Sequence, residues 1–123
     1  MKTLVLKQPW ASLVLEGKKT IELRTWQTKY RGPVLIVAGR GIDRADAERF
    51  GWKNGPRGVA LCIVDLVDIS PSTEKDTDSA CCAPDVSREF SWRLINPRSV
   101  NRVEMIGRLG LYDVDVTDSE LGL

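Results

Sequence analysis

A chain of 123 residues, 42% hydrophobic and 28% charged, is long enough for one domain with a buried core and too short for two. Charged residues interrupt every apolar run well before the length of about eighteen residues that a membrane span needs. Met1-Lys2-Thr3 leads into only Leu4-Val5-Leu6, too short an apolar stretch for a secretory leader, so a cytoplasmic protein without membrane contact is expected.

The formal net charge of +1 conceals a polarity. Residues 1–58 carry twelve Lys/Arg against five Asp/Glu (+7), and residues 59–123 carry six against twelve (−6). Such asymmetry either points the basic half at a polyanion or is neutralised within the fold. No histidine is present, which excludes Ser-His-Asp and Cys-His relays, His-ligated zinc and an imidazole base. The three cysteines, Cys62, Cys81 and Cys82, suit neither a disulfide framework nor a metal-binding CxxC spacing. No structural metal and no cofactor are expected, and Cys62 reads as a small core residue. Chemistry therefore falls to Lys, Arg, Glu, Asp, Ser, Thr or Tyr.

Thr3 to Lys7 reads as a strand. Gln8-Pro9 opens a short helix whose apolar face is Trp10, Leu13 and Val14, ended by Gly17. Trp10 on that face points to the core rather than to a ligand. Lys19 to Trp26 alternates, with Ile21 and Leu23 on one side and Thr20, Glu22, Arg24 and Trp26 on the other. Val34 to Ala38 forms a strand, Gly39-Arg40-Gly41 a turn, and Asp43 starts a second helix ending near Phe50. Val59 to Ile69 is the longest strand and central. Residues 70–88, rich in Ser, Thr, Asp and Pro, read as a mobile excursion. Phe90 to Ile95 is a strand stopped by Asn96-Pro97, Val103 to Met105 a short one, and Leu109 to Val116 the last. Residues 1–116 form the single domain, and 117–123 are expected to fray. The composite is α+β but mainly β: a small barrel of five to six strands with two short helices.

Polar and aromatic groups concentrate in residues 8–40. Glu22 and Arg24, two apart on a strand, share a face and can pair, and Lys19 reaches the same rim. Lysines for phosphate with aromatic faces for stacking suit a single-stranded or flipped nucleotide. The competing reading is an exposed same-strand ion pair that contributes little.

These residues carry a resemblance. Gln8-Pro9-Trp10-Ala11-Ser12-Leu13, then Gly17-Lys18-Lys19-Thr20-Ile21-Glu22-Leu23-Arg24-Thr25-Trp26, then Tyr30-Arg31-Gly32 resemble the ASCH domain (activating signal cointegrator homology). The G-x-K-x-x-E-x-R signature is met by Gly17, Lys19, Glu22 and Arg24. The likeness continues through Gly58 to Asp68 and into Asn96-Pro97, Gly107 and Leu111 to Asp115. It implies a PUA-like β-barrel with a cleft thought to bind RNA or nucleotides, lined by Lys19, Glu22, Arg24 and the Arg31-Gly32 turn. One branch of the family hydrolyses an acetylated cytidine with a lysine and a threonine nucleophile on this strand and a glutamate elsewhere. This chain departs from it: Glu22 stands at the nucleophile position, and Thr20 is offset by two residues.

Two functions follow. In the first, a basic cleft binds RNA, single-stranded nucleic acid or a modified nucleotide. Lys18, Lys19, Lys29, Arg31 and Arg40 meet phosphate, Glu22 and Arg24 read a base edge, and Trp26 or Tyr30 stacks. In the second, a hydrolase acts on a modified nucleoside (amidohydrolase-like) or on RNA (ribonuclease-like), with Glu22 as base or water-orienting group and Lys19 stabilising developing charge. A carboxylate flanked by cations favours its charged form, which ranks this second. The acidic 74–89 stretch is either an adaptor surface or a solvated loop, and no protein partner is identified.

Overall fold

Period-two alternation in a strand sends successive side chains to opposite faces, so a strand apolar at every position must be covered on both. The computed structural model, which describes residues 1–123, shows this in the two central strands. Six strands form one sheet: β1 (Lys2–Gln8), β2 (Ile21–Arg24), β3 (Gly32–Ile42), β4 (Val59–Pro71), β5 (Phe90–Ser99) and β6 (Leu111–Asp113). Their order is β2-β5-β4-β3-β1-β6. Only β1 and β3 run parallel; every other neighbouring pair is antiparallel. The sheet curls like a barrel but does not close.

From β3, Val34, Ile36 and Ala38 enter one core, joined by Leu4 and Leu6 of β1, Trp92 and Leu94 of β5, and Ala11 and Val14 of helix α1 (Trp10–Leu15). Leu35 and Val37 enter the other, with Ala60, Ile63 and Leu121. Helix α2 (Arg44–Arg49) follows β3 as expected. No helix is long and apolar enough to cross a membrane.

The structure corrects several expected boundaries. Gly39-Arg40-Gly41 is not a turn but part of β3. The glycines are required there by packing, since a Cβ at Gly39 would lie 2.8 Å from Cγ1 of Val5 in β1. Asn96-Pro97 does not stop β5, which continues to Ser99 with Asn96 in the left-handed region at φ 56° and register shifts against β4. Val103 to Met105 is reduced to one bridge, Glu104 to Val59.

The polar excursion is built rather than irregular. It holds a 3-10 turn (Glu74–Asp76) and helix α3 (Thr77–Ala80), whose Ala80 is fully buried. Its frame is polar: the Ser72 and Ser91 hydroxyls lie 2.9 Å apart, and Ser91 Oγ donates to Asp76 Oδ2 at 2.8 Å. The Thr73 backbone N–H, then the Ser91 hydroxyl, hold the Asp76 carboxyl below its usual range.

The last seven residues hold a short helix. Thr117 and Glu120 form a capping box that opens helix α4 (Asp118–Leu121), and the Asn101 N–H donates to Leu121 O at 2.9 Å. Leu121 is 1% exposed and covers the second core. Leu121→Ala should therefore destabilise the fold by about 2–5 kcal/mol in urea unfolding. An unchanged midpoint would show that the second core holds without this helix.

Candidate functional site

Gly17, with φ 77°, lets α1 end in a left-handed residue, and the N–H groups of Lys18 and Lys19 both bond Leu13 O at 3.0 Å. That tight stop turns the Lys19 side chain inward, where it is 2% exposed. Its Nζ donates to Ala80 O at 2.6 Å, lies 3.6 Å from Glu22 Oε1 and sits 4.9 Å from the centre of the Trp10 ring. Glu22 and Arg24 share a face of β2 as the alternation requires. Arg24 Nε and Nη2 donate to Glu22 Oε2 at 3.2 and 2.9 Å, and Nη2 donates also to Val5 O at 3.0 Å.

The last bond is the informative one. Strand β2 is one edge of the sheet and β1 lies near the other, so Arg24 spans the seam where the barrel fails to close.

A cleft of about 900 Å³ occupies this seam, within the usual range of about 300–1,000 Å³ for ligand sites. Val5 and Lys7 of β1, Trp10 of α1, Glu22 to Arg24 of β2 and Gly39 to Gly41 of β3 line it. Asp43 and Asp46 at α2, Lys19, Gly58, Cys82, Ala83, Glu89 and residues 105–110 complete it. The lining charges nearly balance, five cations (Lys7, Lys19, Arg24, Arg40, Arg108) against four carboxylates (Glu22, Asp43, Asp46, Glu89), in contrast to the basic cleft expected. Arg49 hydrogen-bonds Asp46 and holds its carboxyl below the usual range.

Of the residues singled out from sequence, Lys19, Glu22, Arg24 and Arg40 meet in the cleft, and the other five lie outside it. Lys18 is exposed and pairs with Glu16 at 3.2 Å. Trp26 packs edge-on against Trp92 at 4.8 Å and accepts that indole's N–H on its carbonyl, because β2 ends at Arg24 and the alternation stops there. The Tyr30 hydroxyl donates to Pro33 O at 2.7 Å, and Arg31 Nη1 donates to Thr28 O and Tyr30 O. Lys29 is exposed on the same outer loop. Lys19 is in the cleft wall, but its ammonium is committed to Ala80 and Glu22 rather than free for phosphate.

Lys7, Asp43, Asp46, Cys82 and Arg108 were not singled out, and Trp10, read as core, presents its ring to both the core and the cleft. Gly39 and Gly41, which lie against Val5 and Lys7, were the visible signal of chain passing close to chain.

The cleft wall carries no hydroxyl side chain. Thr20 lines a separate cavity of about 370 Å³ with Arg93 and Asn96. The one thiol in the wall, Cys82, is pushed up from its ordinary pKa chiefly by burial, so it stays neutral at physiological pH. What the site offers is fixed charge and hydrogen-bonding groups rather than a nucleophile with its base.

This architecture, an unclosed barrel-like sheet with a charged seam, places the chain in a class of small β-barrel-like domains. The ASCH domain family matches residues 4–104, and the chain belongs to that family. Among solved structures, ASCH from Zymomonas mobilis superposes with a TM-score of 0.62 at 13% identity, covering 84% of this chain and 72% of that one. A tyrosine-to-phenylalanine variant of the Zymomonas mobilis protein gives 0.58 at 14% identity, over 84% and 74% of the two chains. A serine-to-alanine variant gives 0.58 at 13%, over 85% and 73%. At these identities the likeness is one of fold. No curated protein matches the chain.

Two predictions follow from the site's geometry. Glu22→Ala leaves the buried Lys19 ammonium without its counter-charge and should cost about 3–5 kcal/mol in urea unfolding. Lys19→Met leaves Glu22 its Arg24 partner and should cost less; a larger loss than for Glu22→Ala would mean that the lysine, not the carboxylate, centres the network. Alkylation of Cys82 by iodoacetamide should be slow at neutral pH and rise with a midpoint above that of free cysteine, since burial favours the neutral thiol. A midpoint below it, read by peptide mass spectrometry, would mean that the thiolate is stabilised in the cleft.

Proposed function

We propose that the seam cleft binds a nucleotide unit of single-stranded nucleic acid, with RNA as the natural first ligand. One observation carries this reading. Lys7, Arg40 and Arg108, exposed and drawn from three separate segments, converge on the cleft, and none is in an ion pair. Unpaired cations around a cavity suit phosphate, and guanidinium groups suit it best.

The remaining lining fits the rest of a nucleotide. Glu22, held by Arg24, is a fixed acceptor for base or ribose N–H and O–H donors, and the Trp10 ring is the aromatic surface in the wall. Membership of the ASCH family, thought to bind RNA or nucleotides, supports the same class of ligand. No observation favours the hydrolase: the wall lacks a hydroxyl, its thiol is neutral, and the Lys19 ammonium is committed to Ala80 O and Glu22.

Each phosphate neutralised on a single strand contributes about −0.7 to the slope of log affinity against log salt, so three contacts should give a slope near −2. Arg40→Ala should make the slope shallower by about 0.7 without unfolding the protein. Fluorescence anisotropy with a labelled single-stranded RNA reads both quantities. A slope near zero, or no binding at low salt, would end this reading.

A further inference from the structure

The structural placement of Trp26 and Tyr30 outside the cleft leaves Trp10 as its one aromatic face, and the apolar counterpart lies on the segment from Met105 to Gly110. Ile106 is 91% exposed and Leu109 100% exposed, whereas no other large apolar side chain in the chain exceeds 61%. Two such groups bury nothing in the fold, so folding does not account for them. Both line the cleft, and Arg108, between them, lines it too.

The backbone of the segment is hydrogen-bonded to other backbone only at its two ends. Met105 N–H donates to Gly58 O at 3.0 Å, and Leu111 pairs with Leu4 in the sheet. Residues 106–110 make no backbone–backbone hydrogen bond, and Gly110 sits at φ 74°. Gly107 crosses β1 so closely that a Cβ there would touch both Val5 methyls at 3.4 Å. The tip can therefore shift against a ligand without breaking the sheet.

We propose that Ile106 and Leu109 are base contacts: they pack on an unstacked base of a strand whose phosphate is taken by Arg108 and its neighbours. This rests on the cleft binding single-stranded nucleic acid, and it assigns the apolar part of that recognition to the 105–110 segment. The charge pattern selects the occupant. An apolar tip alone would suit a protein or a lipid surface, but an apolar pair flanking an unpaired arginine, beside Lys7 and Arg40, matches a chain that alternates anion and flat apolar ring.

The test compares the wild type with the Ile106→Ser/Leu109→Ser double variant and with Arg40→Ala. The probes are a labelled single-stranded RNA of about ten nucleotides and an abasic strand with the same backbone. Loss of a base contact should weaken RNA binding by the double variant about tenfold. Its salt slope and urea midpoint should not change. On the abasic strand, wild type and double variant should bind alike.

Full RNA affinity in the double variant, while Arg40→Ala still makes the slope shallower, would overturn the base contact and leave the cleft reading standing. An equal loss on the abasic strand would overturn it as well. A wild-type dimer that the double variant dissolves in sedimentation would make a second copy the occupant and overturn it. Absence of any binding by the wild type would remove both readings together.

Discussion

Arg24 reaches from one edge of the sheet to the carbonyl of Val5 on a strand near the other edge, and it carries Glu22 with it. Strands β1 and β2 share no ladder, so this side-chain bond crosses the seam where strand pairing does not. A guanidinium can do this because its planar fork serves a carboxylate and a carbonyl at once. Lys19 then extends the same network to Ala80, tying the 72–89 segment to the floor of the cleft. The side chains that line the cleft are thus the ones that keep it open. Burying these charges is tolerable because each has an opposite neighbour and a backbone acceptor or donor.

The spacing of the signature follows from that geometry. A helix stop at Gly17 needs a left-handed residue, and two positions later Lys19 has turned under the helix beside Trp10. Three residues on, Glu22 is the second residue of β2, and Arg24 returns to the same face after one more alternation. Insertion of one residue between Lys19 and Glu22 would shift the carboxylate to the face occupied by Ile21, inside the core.

Local pattern was legible where local physics decides. The central strands read as apolar runs because both their faces are covered, and the helix stop, the face shared by Glu22 and Arg24, and the mainly β class with up to six strands all followed from periodicity or resemblance. Non-local packing was not legible. Gly39 and Gly41 look like turn residues until Val5 and Lys7 are seen to pass over them. Ser, Thr and Asp in the 72–89 segment look like solvated polymer, yet Ser72 and Asp76 both bond the Ser91 hydroxyl of β5. Leu121 carried too little local signal to show that it closes a core. Trp26 illustrates the limit of alternation itself: the period is reliable only as far as the strand extends, and β2 stops two residues earlier.

The charge asymmetry between the halves of the chain misled for the same reason. A sheet ordered β2-β5-β4-β3-β1-β6 interleaves early and late segments, so Glu89 and Arg108 from the acidic half enter the same cleft as Lys7 and Arg40. What matters to a ligand is therefore not the sum over the basic half but which cations lack a partner. β1 and β3, the one parallel pair, shift register between Leu6 and Gln8 around Gly39 to Gly41, which line the cleft, and pair again at Gln8 and Ile42. Parallel neighbours cannot be joined by a tight hairpin, and the chain must leave and return between them. Here that connection is α1 with β2, the segment that carries Trp10, Lys19, Glu22 and Arg24. Topology thus delivers the signature to the mouth of the seam, and the late 105–110 segment, entering β6 beside β1, supplies the remaining wall.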